Sequence, residues 1–207
     1  EQLIIMSSKY SMLLFILISF PVLFNIDFLL SVWLKEVPDY SNTFACLIIV
    51  DTLIAVLLQP INIALNATGK IINMQVYGRF ITLAALPLSY LIYKYSLIES
   101  PNAVFVVLIV AEIGYWLYSY NDMKNQLQIH SGLYFKNVVF RVVLVVVSAV
   151  IVNSLVDVFM FQGVVDFITR GIINVLSLLV SAYSFAVTES EKKWLNNKIS
   201  VIIRRSR

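Results

Sequence analysis

Long apolar stretches alternate with short polar connectors along the chain. Each stretch has about the 20 residues that an α-helix needs to cross the hydrocarbon core of a bilayer. The connectors hold the proline, glycine and charged residues that end helices or face water. The pattern predicts about six transmembrane helices in one domain, residues 1–187, near residues 11–34, 43–66, 74–95, 102–120, 137–160 and 164–187. The predicted fold class is an all-α integral membrane protein.

Composition favours the same class. Of the 207 residues, 60% are hydrophobic and 13% are charged, and the mean hydropathy is +0.87. Ordinary soluble domains have roughly 45–50% apolar and about 25% charged residues. A soluble fold of this size could not bury so much apolar surface. We therefore exclude a soluble enzyme and a nucleic-acid binder, and expect membrane lipids as partners.

The residues that usually carry catalysis or bind metal are scarce. The single cysteine, Cys46, and the single histidine, His130, exclude a disulfide framework and a multi-histidine metal centre. There is no Ser/His/Asp set and no glycine-rich phosphate loop, so we expect no enzymatic activity and no cofactor. The chain opens at Glu1 without a recognisable signal peptide, so we expect a piece of a longer protein.

Positive charge gathers on one side of the predicted topology. Because lysine and arginine are enriched in cytoplasmic loops, we predict that both ends of this segment are cytoplasmic. Residues 188–207 are predicted to be a basic amphipathic tail on that side. The cytoplasmic side carries Lys9, Lys70, Lys124, Lys136, Lys192, Lys193, Lys198, Arg204, Arg205 and Arg207, and the other side carries Lys35 and Lys94.

Two predicted spans carry polar stripes at helical spacing. The stripes are Asp51, Ala55, Gln59, Asn62 and Asn66 in the second span, and Asp166, Arg170, Asn174, Ser177, Ser181 and Ser184 in the sixth. Such a stripe faces another helix or a water-filled cavity, not lipid. Both interpretations stay open for the second span. For the sixth we favour a cavity because the guanidinium of Arg170 suits phosphate, although Asp166 at i−4 could pair with it.

Further carboxylates lie within the predicted spans, at Asp27 and Glu112. If the first, second and sixth spans are neighbours, Asp27, Asp51 and Arg170 would form an acid–base cluster at one depth. Prolines within three spans remove backbone donors and are expected to kink those helices, as is common in transporters. They are Pro21, Pro60 and Pro87.

Four short segments, in order, resemble those of a known family. Residues 32–40, VWLKEVPDY, are similar to an LWLG-x-x-P-x-Y segment, with Lys35 where the family has glycine. Residues 66–71, NATGKI, resemble its ATGKI turn, and residues 86–91, LPLSYL, match its LPLSYL helix. Glu189-x-Glu191-Lys192 resembles the motif that closes its last helix. The family is the Wzx-type lipopolysaccharide or O-antigen (polysaccharide) flippases of the MOP superfamily, which includes the MATE exporters.

The resemblance implies a fold and a function. The chain would be the C-terminal lobe of a MATE-like transporter in the bacterial inner membrane, with the missing N-terminal lobe of the same protein as partner. It would move an undecaprenyl-diphosphate-linked oligosaccharide, for lipopolysaccharide or capsular polysaccharide, across the membrane by alternating access. A cation, Na⁺ or H⁺, would couple the transport.

The same resemblance suggests roles for the polar residues. Arg170 is the candidate for the diphosphate. The candidates for the sugars are Asp51, Gln59, Asn62 and Asn174, and those for ion coupling are Asp27, Asp51 and Glu112. If the parent protein has fourteen helices instead of twelve, the last two spans lie outside the cavity and Arg170 loses this role. The alternatives are a MATE-type cation-coupled drug antiporter and a non-transporting membrane scaffold subunit.

Overall fold

The computed structural model describes residues 2–69, 72–95, 101–127, 131–156, 164–189 and 191–192, and every regular element in these ranges is helical. The elements are α1 (Gln2–Phe24), α2 (Ile26–Trp33), α3 (Ser41–Ala67), α4 (Ile72–Lys94), α5 (Ala103–Leu127), α6 (Ser131–Tyr134), α7 (Phe140–Val156) and α8 (Val164–Ser181). Two π-helical turns, Phe135–Val139 and Ala182–Ala186, continue α6 into α7 and extend α8. The connector at 161–163 and most of the predicted tail lie outside the described residues.

Six helical segments are long and apolar enough to cross a membrane, which confirms the all-α class and the span count among the described residues. They are Gln2–Phe24, Ser41–Ala67, Val76–Lys94, Ala103–Gln126, Gly132–Val156 and Val165–Ala186. Their outer faces expose large apolar side chains such as Leu3, Ile18 and Val180. Apolar surface of this extent is stable when lipid covers it.

The first span differs from the predicted range of 11–34, because α1 begins at Gln2 and ends at Phe24. Pro21 lies in its last turn, and the side-chain amide of Asn25 donates to the Pro21 carbonyl at 2.8 Å. In a continuous helix the backbone N–H of Asn25 would make that bond, so the side chain replaces it where the helix breaks. The short α2 follows, and Asp27 lies in its first turn instead of inside a span.

Helix α3 is closed by a turn that contains Gly69, a residue type that commonly follows the end of a helix. Gly69 has a φ of 76°, the left-handed conformation that glycine adopts without steric penalty. The N–H groups of Thr68 and Gly69 bond the carbonyls of Leu65 and Asn66, at 3.0 and 3.2 Å. This cap satisfies helix-end carbonyls that would otherwise lie unpaired at the membrane boundary.

Helix α1 is central, because it packs against α3, α7 and α8. Helix α5 then packs between α3 and α4. Two apolar cores result. The first joins α1, α7 and α8 through residues that include Ile16, Val145 and Leu178, and the second joins α3, α5 and α6 around Leu65, Met123 and Tyr134.

A buried lysine of α1 binds groups at the end of the last span, Val165–Ala186, and just beyond it. The Lys9 side chain is 2% exposed, and its Nζ donates to both carboxylate oxygens of Glu191 at 2.7 Å. It also donates to the Ala186 carbonyl at 3.2 Å, and Arg141 Nη1 of α7 donates to the same carbonyl at 3.1 Å. Two cations thus stabilise the carbonyl end of the last span, where the helix dipole is negative. The start of α1 and the end of α8 therefore lie at the same end of the bundle.

Glu191 is itself held by a capping box. The backbone N–H of Thr188 donates to Glu191 Oε2 at 2.7 Å, and the N–H of Glu191 donates to Thr188 Oγ1 at 3.4 Å. Burial acts to raise the pKa of Glu191, but the hydrogen bonds from Lys9 and Thr188 and the charge of Lys9 outweigh it and lower the pKa to about 2.

This lowered pKa predicts a pH-dependent stability. The ordinary pKa is 4.5 and the folded one is about 2, so the contribution is complete above pH 4.5 and is lost as the pH falls towards 2. We expect Glu191→Gln to lower the free energy of unfolding at pH 7 by about 1.5–3 kcal/mol, with a smaller further loss on acidification than the wild type shows.

Thermal unfolding in detergent between pH 7 and pH 2 measures both effects. Glu189→Gln is the matched control, since the Glu189 side chain is 84% exposed in its pair with Lys192. Equal acid sensitivity in the wild type and Glu191→Gln would contradict the prediction.

Candidate functional site

Helices α3 and α5 lie side by side and run in the same direction. Near their first turns the rings of Phe44 and Phe105 are in contact, with centroids 5.0 Å apart. Near their last turns Thr68 Oγ1 donates to Gln126 Oε1 at 3.0 Å. The two helices are therefore aligned along their whole length.

A seven-residue spacing links this alignment to the carboxylates. Asp51 and Glu112 lie seven residues after Phe44 and Phe105, and Leu58 and Ser119 lie seven residues further on. Residues seven apart return to nearly the same face of a helix, as in a coiled-coil seam. Leu58 and Ser119 are 3% and 0% exposed, as expected for the interior of such a seam. The seam brings Asp51 and Glu112 to the same level of the contact.

The charge of Asp51 acts on the Glu112 carboxylate, in agreement with their shared level in the seam. Each lies about ten residues into its helix, or roughly 15 Å along the axis, which is near the middle of a 30 Å hydrocarbon core. Two carboxylates at one level of a helix contact in hydrocarbon repel each other, and a proton or a bound cation relieves the repulsion. In the described ranges, no group of three or more His, Cys, Asp and Glu side chains could hold a metal ion.

The rest of the α3 stripe is only partly covered. Gln59 is exposed, and Asn62 is half-buried with a buried Oδ1 that has no hydrogen-bond partner among the described residues. An amide exposed within a span-length helix is unfavourable against lipid, so this face of α3 needs water or protein against it.

Asp27 makes a separate contact. Its carboxylate accepts a hydrogen bond from the side-chain amide of Asn42 at the start of α3. The next residue, Phe28, stacks on Phe167 of α8 with ring centroids 5.0 Å apart. Helix α2 therefore lies against both α3 and α8 at one end of the bundle.

The side chains of Arg170 and Asp166 form an ion pair on α8. Arg170 Nε lies 2.6 Å from Asp166 Oδ2, and the side chains are 13% and 19% exposed. This is the i,i+4 pairing that the sequence left open as an alternative to a phosphate site. A phosphate that reaches the guanidinium has to compete with the Asp166 carboxylate.

Asn174 faces α7. It is 2% exposed, and its Nδ2 donates to Asn153 Oδ1 at 3.2 Å. The polar stripe of α8 therefore makes a helix–helix hydrogen bond at this level, the kind of contact that small and polar residues supply between membrane helices.

The structure thus distributes the predicted residues over separate contacts instead of one acid–base cluster. Asp51 lies at the level of Glu112 in the α3–α5 seam, Asp27 accepts a hydrogen bond from Asn42, and Arg170 is paired with Asp166. The partners that the sequence reasoning did not select are Asn42, Asn153 and the buried Lys9. In the sequence, Asn153 stands out as a single amide within an apolar run. Nothing in that run identifies Asn174 as its partner.

The Asn153–Asn174 contact predicts a small coupling free energy. We expect Asn153→Leu and Asn174→Leu each to destabilise the chain, because each leaves a buried amide without this partner. In the double variant part of the loss should be recovered, with a coupling of about 0.6 kcal/mol. A double-mutant cycle of unfolding in micelles tests this, with Ser154→Ala as control because that hydroxyl bonds the Val150 carbonyl of its own helix. Strict additivity of the two single losses would contradict the contact.

Comparison of the chain with protein families, curated proteins and solved structures found no match. The geometry supports the class of a multi-pass, all-helical membrane protein.

Proposed function

We propose that this chain is part of a flippase that moves an undecaprenyl-diphosphate-linked oligosaccharide across the bacterial inner membrane by alternating access. The resemblance of the four short segments to the Wzx-type family gives the substrate class. The structural observation that carries transport is the open polar face of α3, where the exposed Gln59 lies on the same span-length helix as Asp51. A polar solute needs such a face within the hydrocarbon, whereas lipid does not.

The sugar-binding part of this proposal rests on amide chemistry. Gln59 and Asn62 each carry a carbonyl acceptor and an amide donor, which suit the hydroxyl groups of a glycan. Asn62 Oδ1 has no hydrogen-bond partner among the described residues, which supports the binding of a polar solute or water on this face. Asn174 is engaged with Asn153, so it contributes to substrate binding only if that contact opens.

The placement of Asp51 and Glu112 at one level of the α3–α5 seam supports coupling to a cation. Occupation by H⁺ or Na⁺ removes the repulsion between the carboxylates, and departure of the cation restores it. The equilibrium between two arrangements of α3 and α5 then depends on whether the cation is bound, which is how an ion gradient drives a conformational cycle. Asp27 lies outside the spans and is bonded to Asn42, so it is the weaker coupling candidate.

A drug antiporter is the second candidate, and one observation favours it. The charge of Arg170 is paired with Asp166, whereas the carboxylates of Asp51 and Glu112 remain as a site for cations.

A membrane scaffold is favoured by the Asn153–Asn174 contact, where polar residues join helices without a cavity. The three functions give different phenotypes when the gene is deleted.

The test is deletion of the gene that encodes the chain, followed by complementation with variants. A flippase deletion loses surface polysaccharide and traps lipid-linked intermediates on the cytoplasmic leaflet. An antiporter deletion changes tolerance to cationic drugs and leaves the glycan intact, and a scaffold deletion changes neither. We expect Asp51→Asn and Glu112→Gln to restore polysaccharide only to near the deletion level, because each removes one carboxylate of the coupling pair.

Glu36→Gln is the control for these variants, since Glu36 is an exposed carboxylate in the connector before α3. Immunoblots of membrane fractions show whether all variants insert equally. Full complementation by both carboxylate variants would refute the coupling role while leaving flippase activity open.

Arg170 is tested in the same strain. We expect Arg170→Ala to reduce export of the lipid-linked sugar while membrane insertion stays intact, because the diphosphate loses its guanidinium partner. Asp166→Asn removes the competing carboxylate and should preserve export. Normal surface polysaccharide in Arg170→Ala would remove Arg170 from the substrate site.

A further inference from the structure

A narrow apolar groove of about 260 Å³ lies between α1 and α8. Its floor is formed by Ile16, Val145 and Leu178, which are 1%, 1% and 2% exposed. Leu13, Leu17 and Leu179 are among the residues that form its walls. The lining residues of α1 extend over two helical turns, or about 11 Å along the axis. A groove of this kind along a membrane-spanning helix pair accepts a hydrocarbon chain and offers little to a polar solute.

Aromatic and basic side chains lie at one end of the groove, where the last span ends. Tyr10 and Tyr183 line this end, and Lys192 Nζ lies 5.4 Å from the centre of the Tyr183 ring. Tyrosine and lysine together are typical of the level of lipid headgroups. Lys192 also contacts the carboxylate of Glu189 at 3.0 Å, but that side chain is 84% exposed and its charge is screened by water.

The charges around this end leave a net positive site. Among the residues that the structure describes, the cations are Lys9, Arg141 and Lys192, and the carboxylates are Glu189 and Glu191. Lys9 neutralises Glu191, and Lys9 and Arg141 together satisfy the Ala186 carbonyl at the negative end of the last helix. An anion at the groove end therefore meets Lys192 without an exposed helix terminus to repel it.

We propose that this groove binds one anionic phospholipid, with an acyl chain between α1 and α8 and the phosphate against Lys192 and Tyr183. The apolar lining accounts for the chain, and the net positive end accounts for the headgroup. The lipid would bridge the first and last spans beside the Lys9–Glu191 pair. This inference is independent of what the protein transports.

Native mass spectrometry of the purified full chain tests the proposal, with phosphatidylglycerol and phosphatidylcholine of identical acyl chains as probes. We expect the wild type to retain phosphatidylglycerol about fivefold more strongly, as one lysine–headgroup contact predicts. Lys192→Gln should reduce retention of phosphatidylglycerol to the phosphatidylcholine level. Ala182→Leu, which adds bulk to the groove wall, should weaken both lipids.

Two variants elsewhere are matched controls. Lys124→Gln removes an exposed lysine at the end of α5, and Ala84→Leu enlarges an exposed alanine on α4. The proposal would be overturned if the control variants reduced lipid retention as much as Lys192→Gln and Ala182→Leu do. It would also be overturned if the wild type showed no preference for phosphatidylglycerol. Displacement of the lipid by inorganic phosphate alone would also overturn it, because it would show an anion site that does not use the acyl groove.

Discussion

Within a bilayer, the polar groups of a spanning chain have to find their partners inside the protein, because hydrocarbon offers none. This requirement explains the contacts that define the molecule. A break in the first helix is repaired by the amide of Asn25, and α7 and α8 meet through two asparagines. The carbonyl end of the last span is satisfied by side chains from two other helices. Apolar packing brings the helices together, and these polar contacts fix their register.

The sequence predicted the helical class and the number of spans because both follow from local hydropathy. It did not predict the bounds of the first span, because the sequence stays predominantly apolar on both sides of Pro21 and Asn25. The helix nevertheless ends there, where the Asn25 side chain replaces a backbone hydrogen bond. The pairing of Arg170 with Asp166 was accessible as an alternative because it is local. Contacts between distant residues were not accessible, since an apolar run that contains Asn153 has no feature that points to Asn174 instead of another amide.

The seam between α3 and α5 shows where local stability and chemistry conflict. Its first level is a pair of aromatic rings, and its second level places two carboxylates near each other. Leucine or phenylalanine at the second level would pack better, so these carboxylates are a departure from what stability alone favours. Such departures are expected at functional sites. The sequence could identify both acids as candidates, but their juxtaposition depends on a helix alignment that only the structure provides.

The ion pair between Lys9 and Glu191 joins residues 182 positions apart. During synthesis, α1 enters the membrane long before Glu191 has been made. Over that interval Lys9 lacks its carboxylate, and its ammonium group is drawn to the water interface at the end of the helix. Synthesis of the last span and of the residues that follow it supplies the Ala186 carbonyl and the Glu191 carboxylate, so the contacts that hold Lys9 form only then. The order of biosynthesis therefore makes α1, which precedes α2 to α8 in the chain, one of the last of these helices to be fixed in position.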